Sequence, residues 1–164
     1  MQTTKDSLFI ALRDRLAALA PERIVTVLGN SRPAILVSEN ELADAAPPLP
    51  DAFYLRWGAA TPASGTERLE LPLLKLTCEI TYWTQGTNDL NSQDRGRALA
   101  ALDELLLAIT LPPRAALKNH SQSPDVDLGA NIFWTRPIFT APKEDGGNLS
   151  RTAAIEVFTH AEVV

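Results

Sequence analysis

The sequence predicts an α+β fold: a mostly antiparallel sheet of four or more strands with two main helices packed on one face. Three observations carry this. Residues 4–20 place Leu8, Leu12, Leu16 and Leu19 on one apolar stripe at helical spacing. Residues 74–83, LKLTCEITYW, alternate between apolar and polar side chains, the period of a strand with one packed face. Residues 92–109, SQDRGRALAALDELLLAI, return to helical spacing through Leu99, Leu102, Leu105, Leu106 and Ile109. Helices at two places among runs of strands favour helices laid on an antiparallel sheet.

Taken in order, Thr4 or Asp6 is positioned to cap the first helix and Pro21 to end it. Ile24–Leu28 is a short β-branched run closed by the turn signal Gly29-Asn30. After Arg32-Pro33, Ala34–Val37 is a second apolar run, and the two together suggest a hairpin or a bent edge pair. Residues 42–50, LADAAPPLP, read as a connecting loop because proline cannot donate to a sheet ladder. Ala52–Trp57 reads as a strand with Phe53, Leu55 and Trp57 on one face, followed by a flexible loop over Gly58–Gly65.

The long strand at 74–83 turns Leu74, Leu76, Cys78, Ile80 and Tyr82 one way, and Lys75, Thr77, Glu79, Thr81 and Trp83 the other. Asn91 or Ser92 is the natural cap of the second helix, with Asp94 in its first turn, and Pro112-Pro113 ends it. Residues 114–130 are polar and irregular, with room for one short strand. Ile132–Thr140 and Arg151–His160 read as a long antiparallel hairpin with a polar tip at Gly146-Gly147. Pro137 assigns the first of these strands to an edge or a bulge.

A chain of 164 residues suits one domain, 1–164, and its 45% hydrophobic and 21% charged residues are near globular averages. The net charge of −5 argues against nucleic-acid recognition, which needs clustered cations to displace counterions, and against docking on anionic membranes. No apolar stretch approaches the ~20 residues of a membrane span, no signal peptide is evident, and cytoplasmic synthesis is the expectation. Cys78 is the single cysteine, so neither an internal disulfide nor a Cys-rich zinc site is available; its place in an alternating run suits a buried small hydrophobe.

Catalytic signatures are missing from the sequence. His120 and His160 are the two histidines and do not share metal-ligand spacing. Neither GxGxxG, GxxxxGK[ST] nor GxSxG occurs. The acidic pairs Asp103-Glu104, Glu144-Asp145 and Asp125 with Asp127 sit on a polar helix side or in loops, not in a recognisable desolvated cleft. The chain is therefore read as a non-enzyme without cofactor or metal. Trp57 reads as core, whereas Trp83 and Trp134 suit either core or a partner contact, where tryptophan is over-represented.

The order of elements resembles that of a known family. An N-terminal helix leads to the Arg32-Pro33-Ala34 turn, and a proline-bearing loop enters the strand at Ala52–Trp57. LKLTCEITYW then runs into an amphipathic helix, and SRTAAIEVFTHAE closes the chain. This resembles the tail terminator, or minor tail, proteins of lambda-like long-tailed phages. The resemblance implies a structural virion protein that assembles as a ring, most simply a hexamer. The ring would cap the tail tube, end its polymerisation and prepare the tail for joining to the head. The implied partners are other copies of the chain, the tail tube protein and a head-tail connector protein. The implied location is the host cytoplasm during assembly and then the virion tail. The stretches 58–72 and 114–130 are longer than a minimal terminator needs, so a head-tail neck or tail-completion role is the alternative within the virion. A small dimeric ligand- or peptide-binding module is the alternative outside it. A ring needs two different patches on each subunit; the edge around Pro137 and the helix at 92–110 are the candidates. Contact residues proposed on this basis are Thr66, Glu67, Arg68 and Glu70 in one polar loop, Lys143, Glu144 and Asp145 in another, and Trp83 and Trp134 on the strands.

Overall fold

A computed structural model describes residues 1–41, 49–87 and 94–160 of the chain. Helix α1 spans Gln2–Leu19 and helix α3 spans Arg95–Ile109, with a single helical turn, α2, at Ser38–Glu41. Two strands, β1 (Ile24–Val27) and β2 (Asn30–Pro33), form a separate hairpin. The remaining strands are β3 (Ile35–Val37), β4 (Phe53–Pro62), β5 (Leu73–Thr84), β6 (Arg114–Asn119), β7 (Val126–Trp134), β8 (Ile138–Phe139), β9 (Lys143–Asp145) and β10 (Asn148–His160). They make one sheet in the order β3-β4-β5-β10-β7-β6, with β8 and β9 also paired to β10. Every pairing is antiparallel except β3 with β4.

The alternation read in the sequence decides which face is packed. Leu76, Cys78, Ile80 and Tyr82 are buried, and opposite them on β10 lie Val157, Ile155 and Ala153, also buried. Both helices cover this face. From α3, Leu99, Leu102, Leu106 and Ile109 are buried against it, and Tyr82 donates its hydroxyl to Asp103. From α1, Leu8, Leu12 and Leu16 are buried, and Thr4 bonds Thr159 of β10 at 3.1 Å. Phe53 of β4 meets Tyr82 edge-on at 5.2 Å between ring centres. The buried polar side chains Thr4, Ser7, Thr84, Thr110 and Thr159 all have hydrogen-bond partners, as burial demands.

Several sequence expectations need correction. Leu19 leaves the apolar stripe and is 57% exposed, and Thr4 lies inside the helix rather than capping it. The partner of β1 is Asn30–Pro33, not Ala34–Val37, which instead runs parallel to β4. Gly58–Pro62, expected as loop, continues β4 past a bulge between Trp57 and Ala60. The 114–130 stretch, expected to be irregular with one short strand, is most of the β6–β7 hairpin. Polar strands of a projecting hairpin show no apolar alternation, so periodicity alone missed them. Pro137 does fall at an interruption on the edge, between β7 and β8. The expected caps Asn91 and Ser92 and most of the 42–50 loop lie outside the described residues.

Two stability measurements follow. Leu106 is fully buried while Leu105 is half-buried. Leu106→Ala should cost about 2–5 kcal/mol and Leu105→Ala clearly less; equal midpoints in urea unfolding would contradict this placement of α3. Leu28 sits at the β1–β2 turn with φ +50°, followed by Gly29 at φ +81°, and is 97% exposed. A leucine there bears the left-handed penalty without a packing return, so Leu28→Asn should stabilise by about 1 kcal/mol, read as a higher melting temperature.

Candidate interaction surface

The β9–β10 hairpin turns through Gly146 and Gly147 at φ +54° and +87°, between the paired residues Asp145 and Asn148. Two positive φ angles in a two-residue loop define a type I′ turn, whose twist suits a hairpin. The turn leaves Lys143, Glu144 and Asp145 exposed. Arg95, in the first turn of α3, ties the tip down: its Nη1 donates to the Gly147 carbonyl at 2.6 Å and lies 3.2 Å from Glu144 Oε1. Glu144 is mostly exposed, so this ion pair orients the tip more than it stabilises the fold.

The loop between β4 and β5 is built differently. Thr66 donates its hydroxyl to the carbonyls of Ala63 at 2.7 Å and Leu73 at 3.2 Å, and Ala63 donates its backbone N–H to Leu73 at 2.7 Å. Thr66 therefore closes the loop and is only half-exposed. Glu67, Arg68 and Glu70 point to solvent beside Leu69 and Leu71, which are more than half exposed.

The tryptophans separate. Trp134 is 4% exposed, donates Nε1–H to the Thr110 carbonyl at 2.9 Å, and carries the Arg15 guanidinium over its ring at 5.2 Å. It belongs to the core, which removes it from the contact candidates. Trp83 lies half-buried on the sheet face away from the helices, and its carbonyl accepts the Asp51 N–H at 2.8 Å. Trp57 packs half-buried under Lys5, whose Nζ is 5.6 Å from the ring centre.

The register shows which candidates meet. Ser150 of β10 pairs with Trp83 on one side and Lys143 on the other, so Trp83 and the 143–145 tip share one end of the sheet. Thr66–Glu70 precede Leu73, which pairs with His160, at the opposite end of β10. With Trp134 set aside, the eight remaining candidates are therefore two surfaces, not one.

Sequence reasoning missed the exposed apolar side chains. Ile138 is 73% exposed, Phe133 50%, Leu128 46% and Val126 40%, all on β7 or β8. Phe133 was legible in part: between Ile132 and Trp134, which are buried, period-2 alternation forces it outward. Ile138 stands opposite Ala154 on the same outward face.

Two groups with perturbed acidity, Cys78 and Tyr82, are packing features. Burial, aided by the nearby carboxylates Glu39 and Glu79, pushes the Cys78 thiol up, so it stays neutral. Burial and the hydrogen bond to Asp103 push the Tyr82 phenol up, so it acts as a donor; Arg151 pairs with the same carboxylate at 3.2 Å and joins β10 to α3. His120 bonds Asp125 at 2.9 Å in the β6–β7 connection, and His160 is exposed. Among the described residues no group of three or more His, Cys, Asp or Glu side chains is arranged to hold a metal, and no helix is long and apolar enough to cross a membrane. A cleft of about 320 Å³ near the start of β1 is lined by Glu22, Arg23, Ile24, Ala34, Pro50 and Asp51. Three of these six residues are charged, unlike the apolar walls usual in small-molecule sites.

Cys78 gives a direct check on this packing. At pH 8 a disulfide-exchange reagent should leave the native thiol unmodified for hours and label it fully after denaturation; rapid labelling of the native chain would show that the β4–β5–β10 core opens. No protein-family model matches the chain, and no curated protein matches it. Among solved structures the chain is similar to a chain described as "Virion of native gene transfer agent (GTA) particle", at 16% sequence identity and a TM-score of 0.39, over 96% of this chain and 94% of that one.

Proposed function

We propose that the chain is a structural virion protein that forms a ring on the end of a tail tube, ends tube polymerisation and presents a surface for joining the head. The observation that carries this reading is the placement of exposed apolar side chains on the outward sheet face of β7 and β8, with Ile138 at 73% and Phe133 at 50%, instead of around a cavity. Isolated exposed hydrophobics are ordinary, but several gathered on one face of a sheet suit a surface that other protein covers. The order of elements that resembles the tail terminators supplies the particular role. Under this reading the chain catalyses nothing and holds no cofactor. Its partners are copies of itself, the tube protein and a connector protein, and its final location is the virion tail after assembly in the host cytoplasm.

The two surfaces at opposite ends of β10 suit the two open faces of a ring and leave the subunit contacts to other parts of the chain. A closed ring uses a heterologous interface, so each subunit must offer two different patches. Loops at the sheet ends, 66–70 and 143–145, are then free to face the tube on one side and the connector on the other.

The test is the native mass of the purified chain over a wide concentration range, with negative-stain images of the same samples. The reading expects a ring with a central hole and a mass about six times the 17.8 kDa chain. A dimer at every concentration, with no ring on added tail tubes, would overturn it.

A further inference from the structure

Two patches of exposed apolar side chains stand toward opposite margins of the sheet. The first is the tip of the β1–β2 hairpin, where Leu28 is 97% exposed. Leu28 also holds φ +50°, a backbone region that bulky L residues rarely adopt. The hairpin is a two-stranded sheet of its own. It is tied at its base by the Ala34 N–H, which donates to the Arg23 carbonyl at 3.0 Å, and packs chiefly against α1 through β2. A strained and fully exposed leucine on such a hairpin adds nothing to the core, and strain of this kind points to a role outside the fold.

The second patch lies on the sheet face away from α1 and α3. Ala153, Ile155 and Val157 of β10 are buried on the helix side, so Ala154, Glu156 and Phe158 face the other way. Phe133 stands directly opposite Phe158, and Ile138 directly opposite Ala154. Opposed residues of antiparallel strands share a face, so these four side chains form one outward platform. Between the two pairs, the Thr135 N–H donates to the Glu156 carbonyl at 3.0 Å. The Glu156 carboxylate is itself paired with Lys75 at 3.0 Å.

We propose that the β1–β2 tip of one copy docks on this platform of a second copy, with Leu28 against Ile138. The chain cannot make this contact with itself. The hairpin directly precedes β3, which opens the order of the sheet, and β8 lies beside β10, four strand spacings or roughly 19 Å away. Charge also favours this occupant. Residues 24–31, IVTVLGNS, carry none, and the platform's carboxylate already has its partner, so covering the platform with the hairpin strands no buried charge. The charged loops at 66–70 and 143–145 would bring unpaired charge to the same place. The contact is head-to-tail, since the two patches differ and each copy carries both. Side chains on a sheet face make it, so it needs no free backbone edge. It rests on the ring reading above and supplies its interface.

Leu28 and Ile138 are both exposed, so cysteine is accommodated at either, and Cys78 is buried. The experiment treats the full chain with a short bifunctional thiol cross-linker. Leu28→Cys combined with Ile138→Cys is expected to give a ladder of covalent oligomers. Either single variant is expected to give none, and an equal mixture of the two singles only dimers. Leu28→Asn should raise the melting temperature and yet raise the concentration needed for assembly by about tenfold or more; a leucine with a purely local role would move the first readout alone. Ile138→Ser should weaken assembly similarly, and the double variant should be little worse than either single, because both remove one contact. Leu69→Ser, on a loop outside the contact, should leave assembly of the ring unchanged. Cross-linking of a single variant to itself would mean a two-fold contact and overturn the proposal. So would absence of the ladder at every soluble concentration, or an equal loss of assembly in Leu69→Ser. A ring by microscopy from Leu28→Asn at wild-type concentrations would leave the ring reading standing and sink this interface. A ladder of open chains with no ring would do the reverse.

Discussion

The antiparallel ladder between β5 and β10 is the constraint on which the rest of the molecule depends. It runs without interruption from Leu149 opposite Thr84 to His160 opposite Leu73. Because side chains alternate, one register sets the environment of every residue on both strands, and a slip by one residue would turn Cys78, Ile80 and Tyr82 to solvent. The ladder also decides where helices can sit. Asp103 of α3 reaches Tyr82 on β5 and Arg151 on β10, while Thr4 of α1 reaches Thr159 at the other end of β10. Each helix is thereby fixed at one end of the same pair of strands.

The Tyr82–Asp103–Arg151 cluster shows how polar groups serve that arrangement. A carboxylate on a helix is costly to bring near an apolar sheet unless its oxygens are used. Here one accepts the phenol and the other faces the guanidinium, which also lies 5.9 Å from the Phe139 ring. Leucines alone would allow α3 to slide along its axis; a hydrogen-bonded pair of fixed geometry does not. Arg15 acts similarly for α1, donating to the carbonyls of Ile109, Pro112 and Arg114 just past the end of α3, where helix carbonyls lack partners.

How much was legible in the sequence followed from local pattern. The 74–83 strand and both main helices were readable because their burial is one-sided and regular. The Gly146-Gly147 turn was readable because only a few residue pairs suit it. The β6–β7 hairpin was not, since Asp125, Asp127, Gly129 and Asn131 give a projecting strand no apolar rhythm. Nor was the extension of β4 through Gly58–Pro62, where glycine, alanine and proline signal a loop but the ladder to β5 holds the chain extended. Of the candidate contacts, the charged tips fell where composition put them, on exposed loops. Trp134 could not be assigned from sequence, because an alternating strand does not say which of its faces the helices cover; the Thr110 carbonyl and Arg15 that enclose it come from distant parts of the chain.

The distribution of capped and uncapped margins links stability to assembly. Ser7, Arg15, Glu39 and Glu41 all use side chains to satisfy backbone groups at sheet edges. An open edge is a hazard in proportion to its length and apolar character, and soluble proteins close edges when nothing is meant to bind there. The β8–β9 margin carries a different kind of protection: Pro137 and Pro142 bracket it and Lys143, Glu144 and Asp145 follow. Proline removes donors at either side and charge repels an indiscriminate partner, which limits pairing to a short window around Phe139 and Ala141. A window that narrow gives few backbone bonds, so any stable contact there must draw on the flanking side chains.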